Sequence, residues 1–166
     1  MNDELLDLVD QNDHIIGQMY RSQVYTKKLS NFRGVNAFLI NDKGQLWIPR
    51  RTSSKKLLPL CLDASMGGHV MSGESYEEAF RRELKEELNI DALKFPYQCL
   101  GALVPHKHNT SAFMRVYILR TNEAPNYNSE DFCEYFWLSP QELLTRITTG
   151  ERCKSDLPIM IKNFFL

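Results

Sequence analysis

Three glutamates, Glu83, Glu86 and Glu87, stand at spacing i, i+3, i+4 within Ser75–Asn89. In a helix they share one surface, where like charges cost roughly 0.2–0.5 kcal/mol per pair even in water. With about 100° per residue, Tyr76, Phe80, Leu84 and Leu88 form an apolar stripe spanning roughly −40° to +80° around Phe80. Glu87 falls inside it at about −20°, Glu83 on its border at about −60°, and Glu86 further round at about −120°. A partly buried carboxylate without a partner costs several times more than an exposed one. A cation is therefore expected at this face. Arg81 and Lys85 point away, at about +100° and +140°, and Arg82 lies towards the opposite side. Two readings follow. Either basic residues of the same helix neutralise a solvated face, or the glutamates bind a hard divalent cation, which takes oxygen ligands and is usually held by one or two carboxylates plus substrate phosphates. Gly67-Gly68, just upstream, lets backbone approach a ligand closely and could add a carbonyl oxygen.

Other side chains could serve the same chemistry. Arg50 and Arg51 close an apolar strand before a loop carrying Lys55 and Lys56, and a guanidinium clamps phosphate with two parallel hydrogen bonds. Phe32, Tyr127 and Phe132 could stack on a planar group. Pro105-His106-Lys107-His108-Asn109 reads as a polar loop between strands. Cys61, Cys99, Cys133 and Cys153 are too far apart for a zinc site and read as reduced thiols.

The elements that must position these residues can be read from pattern. Leu5–Asp10 and His14–Met19 flank Gln11-Asn12-Asp13, a hairpin over about residues 4–20. Val35–Ile40 is an apolar strand, and Asn41-Asp42-Lys43-Gly44 turns it back into Leu46-Trp47-Ile48. Residues 52–61 read as a loop, and Gly67-Gly68 and Gly73 bracket another. Ser75 with Glu78 three residues on is a capping box that opens the glutamate helix, which runs to about Asn89. Tyr97–Val104, Ala112–Leu119 and Phe132–Leu138 are strand candidates. Ser139-Pro140-Gln141-Glu142 opens a second helix, closed by Gly150, and a third starts near Asp156. Strands mixed with two or three helices predict an α/β chain with a mixed sheet covered by helices.

Composition sets the outer bounds. With 166 residues, a single domain over 1–166 is expected. A net charge of −1 gives no composition-level case for nucleic acid. The acidic start, Met1-Asn2-Asp3-Glu4, is unlike a signal peptide. No apolar run approaches the ~20 residues that span a bilayer. A cytoplasmic protein without membrane or nucleic-acid partners is expected.

The segment Gly68-His-Val-Met-Ser-Gly-Glu74-Ser-Tyr-Glu-Glu-Ala-Phe-Arg-Arg82-Glu83-Leu84-Lys-Glu86-Glu87-Leu88-Asn89-Ile90 resembles the Nudix box, G-x5-E-x7-R-E-U-x-E-E-x-G-U, with U apolar. One fixed position departs: Asn89 stands where the family has Gly at the left-handed end of the helix, and Asn is the next-best residue there. The resemblance implies an α/β/α sandwich with a mixed β-sheet and a loop–helix–loop over 68–90 that binds Mg²⁺ or Mn²⁺. It implies Glu83, Glu86 and Glu87 as metal carboxylates, Glu83 also as a general base, and the Gly67 carbonyl as a backbone ligand. Glu74 and Arg82 would form a structural ion pair. The implied reaction is hydrolysis of a diphosphate linked to another moiety, a nucleotide being the expected class, and dimers are common among relatives.

The likeness extends to Glu4–Gly17, Trp47–Thr52 and Trp137–Leu143, which resemble the Nudix branch that includes isopentenyl-diphosphate isomerase. In that branch the second arginine of such a pair often faces substrate, which favours Arg51. Lys55 and His69 join it as substrate-binding candidates. A glutamate from a distant loop often stands near the metals, and Glu134 is the candidate, with Glu130 and Asp131 as rivals. The isomerases place a catalytic Cys directly before Gly-His. Here Gly67 occupies that position and Asn31–Asn36 carries no histidine, so hydrolysis is expected rather than isomerisation. A non-catalytic sensing module on the same fold is the remaining alternative, against which the intact acidic cluster argues.

Overall fold

The computed structural model describes residues 3–166. In chain order its elements are β1 (Leu5–Val9), β2 (Ile15–Tyr20), α1 (Arg21–Thr26), β3 (Arg33–Ile40), β4 (Leu46–Arg51), β5 (Met66–His69), α2 (Tyr76–Leu88), β6 (Tyr97–Leu103), α3 (Pro105–His108), β7 (Phe113–Arg120), β8 (Phe132–Leu138), α4 (Pro140–Thr148) and α5 (Asp156–Phe164). A single 3₁₀ turn, Ala92–Lys94, follows α2.

The main sheet runs β6-β7-β3-β4-β8, with β5 also paired to β3. The β3–β7 pair is parallel and the other pairs are antiparallel, so the sheet is mixed. One face is covered by α2, through Ala79, Phe80, Leu84 and Leu88 against Val35, Ala37, Leu39, Trp47 and Tyr117. The other is covered by α4 and α5, through Leu143, Leu157, Met160 and Ile161 against Phe38, Ile48 and Val116. Helices on both faces of a mixed sheet are what the sequence pattern predicts, and they make the α/β/α sandwich that the resemblance implies.

Four elements depart from the sequence expectations. Met66-Gly-Gly-His is a strand rather than a loop. Glycines have no side chain to favour the pleat; the neighbouring β3 supplies the register, with Asn36 opposite Gly67 and Val35 opposite Gly68. The polar segment after β6 winds into the one-turn α3, ended by Asn109 at φ 60°. The helix α1 and the 3₁₀ turn are too short to carry a readable period.

The β1–β2 hairpin forms its own two-stranded sheet. It packs with α1 around Leu6, Val24, Phe32 and Ala112. It is also tied to the loop before α2. The Ser72 N–H donates to the Leu5 carbonyl (2.8 Å) and the Ser72 hydroxyl to the buried Asp7 carboxylate (2.7 Å). The hairpin thus braces the loop that leads into the glutamate helix.

Candidate active site

Both ends of α2 form as the sequence dictates. Ser75 accepts from the Glu78 N–H while the Glu78 side chain accepts from the Ser75 N–H, a complete capping box. Asn89 ends the helix in the left-handed region at φ 54°, ψ 32°. Its amide also donates to the Asn126 carbonyl (2.6 Å), which fastens the segment between β7 and β8 to the end of α2. A glycine there could not make that bond.

The three glutamates distribute as the wheel predicts. Glu87 is buried, Glu83 is nearly so, with its side chain 12% exposed, and Glu86 faces solvent at 57%. They lie over β5. The Gly67 N–H donates to Glu87 Oε1 at 2.9 Å. A Cβ on Gly68 would collide with the Glu83 carboxylate, and one on Gly67 would come within 2.9 Å of Asn36 Oδ1. Gly68 is therefore required by close approach, since its φ is not in the left-handed region.

Arg82 departs from the wheel. Its long side chain folds back across the face, since residues four apart are neighbours. It pairs bidentately with Glu74 (2.8 and 2.9 Å), and meets Glu83 (2.8 Å), Glu86 (3.4 Å) and the His69 carbonyl (3.0 Å). Glu74, held by Arg82 and by the Met71 N–H (2.8 Å), keeps its carboxyl below the ordinary range although burial opposes this.

Arg82 does not neutralise the whole site. Burial pushes Glu83 up to about 7, with Glu86 and Glu4 adding to the rise and Arg82 opposing it. Burial also pushes Glu87 well above the ordinary range; Glu83, Asp63 and Asp131 add to it, and the Gly67 N–H opposes it. Three carboxylates, Glu83, Asp63 and Asp131, thus act on the buried Glu87.

Arg51 and Lys55 flank this acidic region, each already paired. Arg51 meets Asp63 (3.1 Å) and the Leu57 carbonyl (3.0 Å), and Lys55 meets Asp131 (2.5 Å). His69 follows Gly68; its Nε2 bonds the Tyr25 hydroxyl (2.7 Å) and its Nδ1 lies 3.6 Å from Glu4. The contacts to Tyr25 and Glu4 come from α1 and the hairpin and had no signal in the sequence.

Glu134 is the candidate that the structure does not bring in. It stands opposite Arg50 and bonds to it at 2.6 Å, half exposed. Arg50 in turn lies over Phe136, which packs in the α4–α5 core. Alternation along β8 thus sends Glu134 to the face away from α2. Its rival Asp131 is the acid that acts on Glu87. Phe132 and Tyr127 pack around the buried Trp47, and Phe32 is buried beneath Tyr25 and His69.

The donor set suits a hard divalent cation. Among the described residues no group of three or more His, Cys, Asp or Glu side chains is arranged to hold a metal by itself. A cation here would use carboxylates together with backbone and substrate oxygens, as Mg²⁺ commonly does. The excess of carboxylate over cationic charge around Glu87 is the feature that such an ion would relieve.

Comparison with known proteins agrees with this site. The NUDIX domain family model matches residues 30–156. A Nostoc protein named as an uncharacterized Nudix hydrolase is 52% identical, over 98% of this chain and 96% of its own length. The crystal structure of DR0079 from Deinococcus radiodurans superposes with a TM-score of 0.93 at 45% identity, covering 98% of this chain and 100% of that one. An isopentenyl-diphosphate Delta-isomerase of Paenarthrobacter aurescens is a more distant relative, 29% identical over 82% of this chain and 77% of its own. With the family match spanning most of the chain and the glutamate helix in place, the chain belongs to the Nudix hydrolase family.

Proposed function

We propose that this hydrolase is Mg²⁺-dependent, with Mn²⁺ as a substitute, and cleaves the diphosphate linkage of a nucleotide or another nucleoside-diphosphate-linked small molecule. The observation that carries the proposal is the buried Glu83–Glu87 pair over Gly67-Gly68, with more carboxylate than cationic charge around it. Glu83, Glu86, Glu87 and the Gly67 carbonyl would hold the metal. When bound, such an ion neutralises phosphate charge and lowers the pKa of an attacking water.

The chain's own residues do the rest. Glu83, fixed by Arg82 against Gly68, is assigned as the base that takes the proton from water. Arg51 and Lys55 bind the diphosphate by exchanging Asp63 and Asp131 for substrate oxygens. His69, held by Tyr25, borders the same loop and contacts substrate. The Glu74–Arg82 pair sets the shape of the loop and the direction of Glu83. Asp131 replaces Glu134 as the acid from outside the helix.

Isomerase chemistry has less support. Gly67 offers no thiol, and the nearest cysteine in sequence, Cys61, is buried. The test is phosphate release, coupled to phosphatase, across nucleoside di- and triphosphates, ADP-ribose, dinucleoside polyphosphates and sugar nucleotides. Mg²⁺-dependent turnover that Glu86→Gln loses is expected. Silence across the panel, with dimethylallyl diphosphate formed from isopentenyl diphosphate, would overturn the proposal.

A further inference from the structure

On the other flank of α2 the structure holds a cavity of about 190 Å³. Its wall is the hairpin tip, Gln11, Asn12 and Asp13, together with Tyr76 at the start of α2. Its floor is apolar, from β6 and β7, and includes Phe113; Arg115 of β7 completes the lining. It shares the α2-covered face of the sheet with the acidic site but lies on the opposite flank of the helix. Glu83 and Glu87 lie over β5, on one side of β3, whereas the cavity is built on β7 and β6, on the other side.

The two charged residues that line the cavity, Asp13 and Arg115, are not paired with each other. Asp13, its one acid, is already satisfied: Arg33 Nε donates to Oδ1 (2.7 Å) and the Tyr76 hydroxyl to Oδ2 (2.7 Å). Arg33 also donates to the Asp13 carbonyl (2.6 Å). Arg115 has no such partner. Among the described residues it makes no ion pair and no hydrogen bond, and only stacks its guanidinium 4.8 Å from the Tyr76 ring. The side-chain amides of Gln11 and Asn12 likewise make no hydrogen bond among the described residues. The Asp13 carboxylate is taken up by Arg33 and Tyr76, which leaves the Arg115 guanidinium unpaired beside an apolar floor, with amide donors at the rim.

We propose that this cavity is a second binding site, for a small oxyanion, carboxylate or phosphate, carried on a short apolar or aromatic body. Arg115 pairs with the oxyanion, Asn12 and Gln11 donate to its free oxygens, and the body rests on Phe113 and its neighbours. The cavity, about 190 Å³ and open to solvent on one side, seats a fragment-sized group. The hairpin tip that supplies most of the wall lies outside residues 30–156, the segment that the family model matches.

The test is an NMR titration of the metal-free full-length protein with benzoate and with phenyl phosphate, benzamide being the uncharged control. Saturable shifts at Arg115, Asn12 and Gln11 are expected with an oxyanion, and the tighter of the two probes identifies which oxyanion the site takes. Benzamide is expected to bind at least about tenfold more weakly, the scale of a lost charge-assisted hydrogen bond. Arg115→Gln should lower oxyanion affinity by a similar factor while leaving the thermal midpoint and the metal-dependent activity close to wild type. Asn12→Ala, on the exposed turn, should lower it by a smaller factor. Unchanged affinity in Arg115→Gln, shifts confined to residues 67–87, or no saturable shift with either oxyanion would overturn the proposal.

Discussion

At the scale of single residues, the site is governed by how far each carboxylate is buried. Glu83, raised by burial to about 7 in the metal-free protein, binds its proton more tightly folded than unfolded. Its contribution to stability is therefore complete below pH about 4.5 and is lost as pH rises to about 7. Without metal, chemical denaturation should show stability falling across that window, by an amount on the order of 3 kcal/mol. The fall should be smaller in Glu83→Gln, and an equal slope in the variant would contradict the assignment. Arg82 offers a second test. It joins Glu74, Glu83 and the His69 carbonyl through a planar fork that an ammonium cannot reproduce. Arg82→Lys should cost about 1–3 kcal/mol by urea unfolding and lower kcat more than it raises KM.

At the scale of elements, the glutamate helix, its two caps and its buried face were legible in the sequence because each rests on a short local pattern. The capping box, the Asn in a left-handed C-terminal position and the placing of Glu87 in the apolar stripe need only helical geometry. What was not legible depends on partners distant in sequence. β5 is a strand because β3 lies beside it, in spite of its two glycines. On the wheel Arg82 was placed by its Cα direction, while a side chain of that length reaches Glu86 and Glu83; its pairing with Glu74 came only from the resemblance. Glu134 lies away from the acidic face because it stands two residues from Phe136 along β8, on the side that packs against α4 and α5. Two substitutions test the element-level account. Gly68→Ala should leave the fold intact but displace the Glu83 carboxylate, with turnover reduced at least about tenfold, comparable to the loss of a well-placed catalytic group. Asn89→Ala should cost about 1 kcal/mol, from the left-handed position and the lost bond to Asn126.

At the scale of the whole molecule, the sandwich holds α2 against one face of a mixed sheet while the hairpin braces the loop in front of it. The fold class was legible because strands and helices are separated by clear turn chemistry; the hairpin's second role was not, since Asp7, Ser72 and Gln18 meet only in three dimensions. No helix among the described residues is long and apolar enough to cross a membrane. The central claim is that the acidic face of α2 binds a divalent cation, and calorimetric titration of Mn²⁺ into wild type and into Glu87→Gln tests it most directly. The account predicts a saturable site in the wild type and affinity at least about tenfold lower in the variant, which removes one of the few charged ligands such an ion would have. Equal affinity in the two proteins would contradict it.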